Sequence, residues 1–316
     1  MSLTDDAAGR EPTEDGPVGV VLVSWLEQQR LKLAQAELAA RRGDTDGVHD
    51  LRVCLRKLRT GLATFRPLVD RSVTDPVRDE LRWAGSELGG ARDREVVHAR
   101  LFQLLRSEPE GLLAGPGGGV AVLGALADEG LEQAWPDGAA MVTDTLDSDR
   151  YGALLLALNA IVAEPPLTTR AERPARKQAT KRIRRDLARV LARAEWVAGA
   201  SDERARVESL HEVRKAAKRL RYAAEAARPV TGKRVRRLGE AAKDLQKVLG
   251  EHHDTWATRG VLRSMATMAD DRAESSFTIG RLHGLEQARA GRLERRAQVV
   301  LATLTDLADR KHTGDP

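Results

Sequence analysis

One helical phrase occurs twice in this chain, and the repetition limits the folds that the chain can adopt. The first copy runs from Val48 to Pro67 and the second from Leu210 to Pro229, with equivalent residues 162 positions apart. Between Val48 and Leu68 and the equivalent residues of the second copy, six positions are identical, and at least six more keep their charge or apolar character. A repeat of this length favours two similar halves of one unit over two unrelated domains.

Each copy predicts a helix with a cationic stripe beside an apolar face. At about 100° per residue, the histidine and the basic residues of one copy fall within roughly a third of the helix circumference. The stripes consist of His49, Arg52, Arg56, Arg59 and Arg66 in the first copy and of His211, Arg214, Lys218, Arg221 and Arg228 in the second. Like charges at these spacings destabilise a helix unless a bound anion or nearby carboxylates neutralise them. The stripes therefore favour an anion site over a solvated face with salt bridges.

The remaining pattern predicts an all-α chain. Only 3% of residues are aromatic, so the core must consist of Leu, Ala and Val, and apolar residues recur at helical spacing without sustained alternation. Pro and Gly clusters divide the chain into about ten helices. We expect a disordered acidic tail over residues 1–17 and a first half over 18–165. The second half should cover 170–312, and each half should hold four or five helices.

A shorter echo extends the repeat. The segments Leu88–Asp93 and Leu249–Asp254 both begin with Leu-Gly and end with Asp, at an offset of 161. The offset is one residue shorter than that of the repeated phrase, and a loop that follows either copy of the phrase can accommodate this difference. The echo places Arg82 opposite Lys243, with Lys247 one turn further on, and these cations extend the predicted site. Both aspartates are expected to cap the N-termini of the helices that follow.

Composition narrows the function classes. Lys and Arg number 52 against 47 acidic residues, a net charge of +5, so only the clustering of the cations is informative. The single cysteine, Cys54, excludes an intramolecular disulfide and fits a reducing compartment, and its position indicates buried packing. Neither a membrane-spanning run nor a signal-peptide pattern is present. We therefore expect a cytoplasmic protein without a membrane partner.

Other candidate sites are weak. His252-His253-Asp254 suggests a metal site, but adjacent helical side chains diverge and no companion motif exists, so a helix N-terminus is the preferred role. The Gly115–Gly119 run lacks the Gly-Lys-Ser/Thr ending of a P-loop, which favours a flexible linker. No spacing indicates a catalytic triad or paired carboxylates. We expect no enzyme activity, no metal and no cofactor.

The repeated His-acid-apolar-Arg phrase, with its basic residues and the trailing Leu-Gly and Asp, resembles the CHAD domain, the conserved histidine α-helical domain. The resemblance covers about residues 18–312. It implies two four-helix bundles, related by a pseudo-two-fold axis around a basic central groove or channel, that bind inorganic polyphosphate. The family's histidine and basic positions correspond to His49, Arg52, Arg56 and Arg59 and to His211, Arg214, Lys218 and Arg221. In many relatives a CYTH enzyme domain precedes this module. Its Glu-x-Glu-x-Lys motif is absent from this sequence, so we expect a stand-alone binder.

The leading hypothesis is non-enzymatic polyphosphate binding, with targeting to polyphosphate granules. Each stripe histidine would donate to a phosphate oxygen and protonate more readily when the anion is bound. A nucleic-acid binder is the alternative, although few aromatic residues are available to stack on bases. A phosphohydrolase is the third candidate and lacks the carboxylate cluster that would hold Mg²⁺ or Mn²⁺.

Overall fold

The structure, a computed structural model, describes residues 11–44, 46–109, 120–134, 138–272 and 275–309. Within these ranges the chain forms eleven α-helices and no strand, which confirms the all-α prediction. The helices are α1 (Val18–Arg41), α2 (Gly47–Thr64), α3 (Arg71–Glu87), α4 (Gly89–Ser107), α5 (Val120–Ala134), α6 (Gly138–Asp147), α7 (Asp149–Ala163), α8 (Ala175–Val197), α9 (Glu203–Ala226), α10 (Lys233–Asp271) and α11 (Phe277–Asp309). Short 3₁₀ helices span Arg66–Leu68, Thr169–Glu172 and Arg228–Val230.

The repeated phrase forms α2 and α9, and both end at equivalent residues. Thr64 and Ala226 are 162 positions apart, and each helix is followed by a 3₁₀ turn that contains the repeated proline. The predicted apolar face is the core face of both helices. Its buried members are Leu51, Leu55, Leu58 and Leu62 in α2 and Leu210, Val213, Ala217, Leu220 and Ala224 in α9. Cys54 is also buried, as predicted, and its burial raises the pKa of the thiol.

The two halves differ in how they continue after these helices. In the second half α10 runs without a break through the Leu249-Gly250 pair, whereas in the first half Leu88 separates α3 from α4. The sequence explains the difference, because the first half has Gly89-Gly90 where the second has Gly250-Glu251, and consecutive glycines weaken a helix. The first half therefore holds seven described helices and the second four. The expectation of four or five in each half is wrong for the first.

Three predicted capping roles are also wrong. Asp254 lies within the continuous helix α10, and Asp93 is the fifth residue of α4. The pair His252-His253 likewise lies inside α10 and not at its start. The Leu-Gly pair predicts a helix end. One glycine inside a long helix is nevertheless tolerated when packing outweighs its low helix propensity.

The last residues of the predicted tail are ordered. Arg176 donates its backbone N–H to the carbonyl of Glu14 at 2.9 Å, and its guanidinium pairs with the Glu14 carboxylate at 2.6 Å. Residues 1–10 lie outside the described part of the chain. The segment that leads into α1 is thus held against the start of α8.

The described chain separates into two compact units that each combine segments of both halves. The first unit contains residues up to 88, residues 142–246 and residues from 300 onwards. The second contains residues 89–141 and 247–299. The second unit has its own core of α4, α5, α10 and α11 side chains, including Leu101, Leu123, Leu262 and Met265. The sequence halves are therefore not the compact units of the molecule.

The first unit has internal two-fold symmetry at the entry to its helices. Val18 donates its backbone N–H to the carbonyl of Arg173 at 2.9 Å, and Ala175 donates to the carbonyl of Gly16 at the same distance. Each bond is therefore converted into the other when the start of α1 and the start of α8 change places. This reciprocity is what a two-fold axis requires.

The packing of α2 against α9 repeats the symmetry. Lys57 on α2 donates to a carboxylate oxygen of Glu225 on α9 at 2.5 Å. Arg219 on α9 donates to the carbonyl of Ala63 on α2 at 3.2 Å. Residues 57 and 219 are 162 positions apart, as are residues 63 and 225. The stripe helices are thus related by the same pseudo-two-fold operation.

No helix in the described ranges is both long enough and apolar enough to cross a membrane.

A glycine contact in the first unit provides a test of this packing. A Cβ added to Gly61 on α2 would overlap the ring of the buried Trp25 on α1. We expect Gly61→Ala to lower the free energy of unfolding by about 2 kcal/mol, because the clash exceeds the gain in helix propensity. Denaturant unfolding followed by circular dichroism measures the change.

Gly85→Ala is the matched control. Gly85 lies inside α3, and no atom lies within 4 Å of its added Cβ. This substitution should raise the free energy of unfolding by about 0.5–1 kcal/mol. Equal effects at the two positions would contradict the described α1–α2 packing.

Candidate functional site

The packing of α2 against α9 brings the two cationic stripes together. Lys218 on α9 is half-buried, and its pKa is lowered to about 6. Burial is the largest cause, and the positive charges of neighbouring arginines add to it. These arginines are, in order of effect, Arg56, Arg214, Arg59 and Arg52. We call Lys218 and these four arginines the Lys218 cluster.

Three members of the Lys218 cluster lack a carboxylate partner. In the described part of the chain, no acidic side chain lies within ion-pair distance of Arg56, Arg59 or Lys218. The Nε atom of Arg56 is buried and has no hydrogen-bond acceptor. A half-buried group of like charges without counter-charges is unfavourable in the absence of an anion. The cluster therefore has the electrostatic character of an anion-binding site.

The cationic region extends to α3. The pKa of Arg59 is lowered by burial and then by the charges of Arg82, Arg56 and Arg78. Arg82 is exposed, and its Nη2 lies 3.6 Å from an oxygen of Asp79. Arg82 thus lies near enough to the first stripe to act electrostatically on Arg59, and its binding role stays a prediction.

The second copy contributes cations at a small cavity. Arg221 donates to Oε1 of Gln246 at 3.2 Å, and its guanidinium lies over the ring of Tyr222. Arg221, Arg228 and Lys243 line a cavity of about 230 Å³. Its other charged lining residues are Arg236, Glu225 and Glu240. Lys243 and Arg221 thus line the same cavity, and the binding role of Lys243 stays a prediction.

The remaining predicted residues occupy less central positions. His49 is exposed near the start of α2, whereas His211 is half-buried. His211 does not begin its helix, as the repeat suggested, because α9 starts eight residues earlier with Asp202 as its N-cap. Arg66 on the stripe is paired with Asp75, its Nε lying 3.1 Å from Oδ1. Lys247 belongs to the second unit, so its role stays a prediction.

Sequence reasoning missed cations that lie just off the stripe. Arg219 and Lys57 occupy equivalent positions in the two copies and cross between the helices. Arg78 on α3 acts electrostatically on both Arg59 and Arg219. The repeat contains a signal for the first pair, because both positions are basic, but nothing in the spacing indicates Arg78.

The weaker candidate sites are also located. His252 is buried, and its Nε2 lies 3.1 Å from an oxygen of Glu294. Among the described residues, no group of three or more His, Cys, Asp or Glu side chains could hold a metal ion. The Gly115–Gly119 run lies outside the described ranges.

A larger cavity of the first unit lies away from the stripes. It measures about 840 Å³ and lies between α8, the start of α10 and the end of α11. Its wall combines apolar side chains, including those of Ile183, Leu187 and Leu238, with charged residues. The charged residues are Arg176, Arg184, Lys233, Arg234 and Asp309. Two of these cations already have partners, since Arg176 pairs with Glu14 and Arg234 donates to the carbonyl of Leu307. The Lys218 cluster, with three cations that lack a carboxylate partner, therefore remains the candidate site.

The chemistry of the Lys218 cluster suits phosphate oxygens. A guanidinium can make two parallel hydrogen bonds to one phosphate, whereas an ammonium contributes a compact charge. The cations come from two facing helices, so they can contact several phosphates of a chain in succession. Binding would also raise the pKa of Lys218, because a nearby negative charge favours its protonated form.

Comparisons with known proteins agree with this architecture. A family model described as the CHAD domain matches residues 24–263. The uncharacterized proteins Rv2226 and MT2285, from two strains of Mycobacterium tuberculosis, are 34% identical over 304 residues, which is 96% of this chain and 55% of each relative. The chain thus spans about half the length of the curated relatives it matches.

Two solved structures have the same fold. PptA from Streptomyces chartreusis is 21% identical, with a TM-score of 0.68 over 92% of this chain and 99% of that one. The CHAD domain from the plant Ricinus communis is 22% identical, with a TM-score of 0.67 and 95% of each chain covered. The family match covers most of the chain and includes both stripe helices, so this chain belongs to the CHAD domain family.

Proposed function

We propose that this chain binds inorganic polyphosphate at the Lys218 cluster and does not hydrolyse it. The observation that carries the proposal is the placement of Arg56, Arg59 and Lys218. These cations are half-buried and have no carboxylate within ion-pair distance in the described part of the chain. A bound polyanion would supply the missing counter-charge and release its own condensed cations.

The shape of the site favours a linear polyanion. Members of the Lys218 cluster lie on both α2 and α9, which face each other. A chain of phosphates can follow such a lining, whereas a compact metabolite would contact only part of it. Family membership supports the same ligand, because the family resemblance implies polyphosphate binding.

The same site is poorly suited to nucleic acid. Helix α2 contains no Phe, Tyr or Trp, and Tyr222 of α9 is buried. Single-stranded nucleic-acid binders generally stack bases on accessible aromatic rings. The stripe helices offer charge without such rings, which supports polyphosphate over DNA or RNA.

We extend the proposal to cellular placement. A protein that binds polyphosphate without turnover would collect on polyphosphate granules. Live-cell fluorescence of a tagged chain, compared with a variant of the Lys218 cluster, tests this placement. Phosphate-release assays with long-chain polyphosphate test the absence of turnover.

Charge reversal in the cluster should abolish binding. Arg56→Glu combined with Lys218→Glu should weaken binding of long-chain polyphosphate by about a hundredfold or more at about 0.1 M salt, because two attractive contacts become repulsive. Calorimetric titration measures the loss, and circular dichroism should show unchanged helicity.

The matched control is Lys177→Glu with Arg184→Glu. Both residues are exposed on α8, and the double substitution changes the net charge by the same amount. Binding by this control should stay within a few-fold of the original chain. Retained affinity in the Arg56 and Lys218 variant would contradict the site assignment.

Competition distinguishes a shaped site from a generic basic surface. Single-stranded and duplex DNA, matched in phosphate concentration, should fail to displace labelled polyphosphate in a fluorescence-anisotropy assay. The reason is the lack of accessible stacking rings beside the half-buried cations. Displacement by DNA at equal phosphate concentration would favour a general nucleic-acid binder.

The lowered pKa of Lys218 predicts proton uptake on binding. The ligand-free lysine, with its pKa near 6, is largely neutral at pH 7.5, and phosphate raises that pKa. Binding at pH 7.5 should therefore take up as much as about one proton, and affinity should fall by up to about tenfold per pH unit above pH 6. Calorimetry in buffers of different ionisation enthalpy counts the protons.

Lys218→Arg is the control for this linkage. Arginine keeps the positive charge but stays protonated throughout this pH range. The variant should bind polyphosphate with less proton uptake and a flatter pH dependence. Uptake equal to that of the original chain would show that another group, such as a stripe histidine, is responsible.

A further inference from the structure

A second group of cations surrounds the C-terminal end of α2. Arg182 on α8 donates to the carbonyl of Thr64 at 2.9 Å, and its guanidinium lies over the ring of Phe65. Arg219 on α9 donates to the carbonyl of Ala63. Both arginines satisfy carbonyls at the helix end, where cations are favourable. Their role is therefore structural in the first place.

Two further arginines lie beside this end without such a role. Arg185 follows Arg182 by three residues, so it occupies the same face of α8. Arg170 lies in the 3₁₀ helix that begins after Thr168, and Thr168 donates its backbone N–H to the carbonyl of Leu68 at 2.8 Å. The turn that carries Arg170 is thus bonded to the turn that follows α2.

Arg170 and Arg185 are exposed and carry no counter-charge. In the described ranges, no carboxylate lies within ion-pair distance of either guanidinium. Their charges nevertheless reach Arg182, whose pKa is lowered to about 10, mainly by burial and then by Arg185, with Arg219 and Arg170 adding to the effect. Arg170, Arg182 and Arg185 therefore form one positive surface, which we call the distal arginine surface.

A route of positive charge connects this surface with the Lys218 cluster. Arg78 acts on Arg59 of the cluster and also on Arg219, which lies beside the distal surface. Carboxylates on the route are already engaged. Asp75 pairs with Arg66 and Arg78, and Asp186 pairs with Arg189 and Arg219. Each acid is outnumbered by its arginines, so the route keeps a net positive charge.

We propose that the distal arginine surface is an extension subsite for linear polyphosphate, onto which a chain held in the Lys218 cluster continues past Arg59 and Arg78. This inference rests on the proposed function and adds a dependence on chain length. A short anion such as tripolyphosphate occupies the Lys218 cluster alone. A long chain also reaches Arg170 and Arg185 and gains further phosphate contacts.

The test is the double variant Arg170→Gln with Arg185→Gln, titrated with long-chain polyphosphate and with tripolyphosphate. Long-chain affinity should fall about tenfold at about 0.1 M salt, and the slope of log K against log salt should become shallower by about 1.4, since two phosphate contacts are lost. Affinity for tripolyphosphate should not change.

The matched control is Lys177→Gln with Arg184→Gln. These exposed cations lie on a different face of α8. At about 100° per residue they are about 140–160° from Arg182 and about 80–100° from Arg185. The control removes the same net charge, so it measures the effect of overall charge on both ligands. We expect long-chain affinity within about twofold of the original chain.

The outcomes separate this inference from the proposed function. An equal long-chain loss in the two double variants would overturn the extension subsite, while the Lys218 cluster would still account for binding. An equal loss for long and short ligands in the Arg170 and Arg185 variant would also overturn it, because the arginines would then act on the cluster itself. If the original chain bound neither ligand, the proposed function would fail together with the extension.

Discussion

The helices around the Lys218 cluster must balance the electrostatic repulsion among its cations. Burial, together with the charges of four arginines from the two helices, lowers the pKa of Lys218 to about 6. Repulsion among these charges opposes the packing of α2 against α9. The apolar faces of α2 and α9 must supply the stability, and these faces are buried along their length. Two symmetry-equivalent polar contacts, of Lys57 with Glu225 and of Arg219 with Ala63, also hold α2 against α9.

The symmetry of the first unit explains how one phrase can build a site with two walls. The two-fold relation puts equivalent faces of α2 and α9 opposite each other, so a cation stripe on one helix meets a stripe on the other. Duplication therefore supplies a lining that one copy cannot form. The second unit, with its own core, contributes none of the five cluster residues.

Much of the first unit could be predicted from the sequence because its determinants are periodic. The spacing of Leu51, Leu55 and Leu58 defines a buried face, and the spacing of Arg52, Arg56 and Arg59 defines the neighbouring cationic one. Tertiary features could not be predicted in this way. The uninterrupted passage of α10 through Gly250 and the role of Arg78 depend on packing between distant segments, and the division into compact units follows contacts and not repeats.

The most direct measurement is the thermal unfolding of Lys218→Met, with and without long-chain polyphosphate at neutral pH. Folding the original chain must deprotonate Lys218 or bury its charge, so its ligand-free stability rises with pH between about 6 and 10.5. Without ligand, Lys218→Met should unfold about 3 °C or more above the original chain, and polyphosphate should raise its melting temperature by less. A lower ligand-free melting temperature with an undiminished polyphosphate shift would contradict the claim that the cluster is a strained anion site.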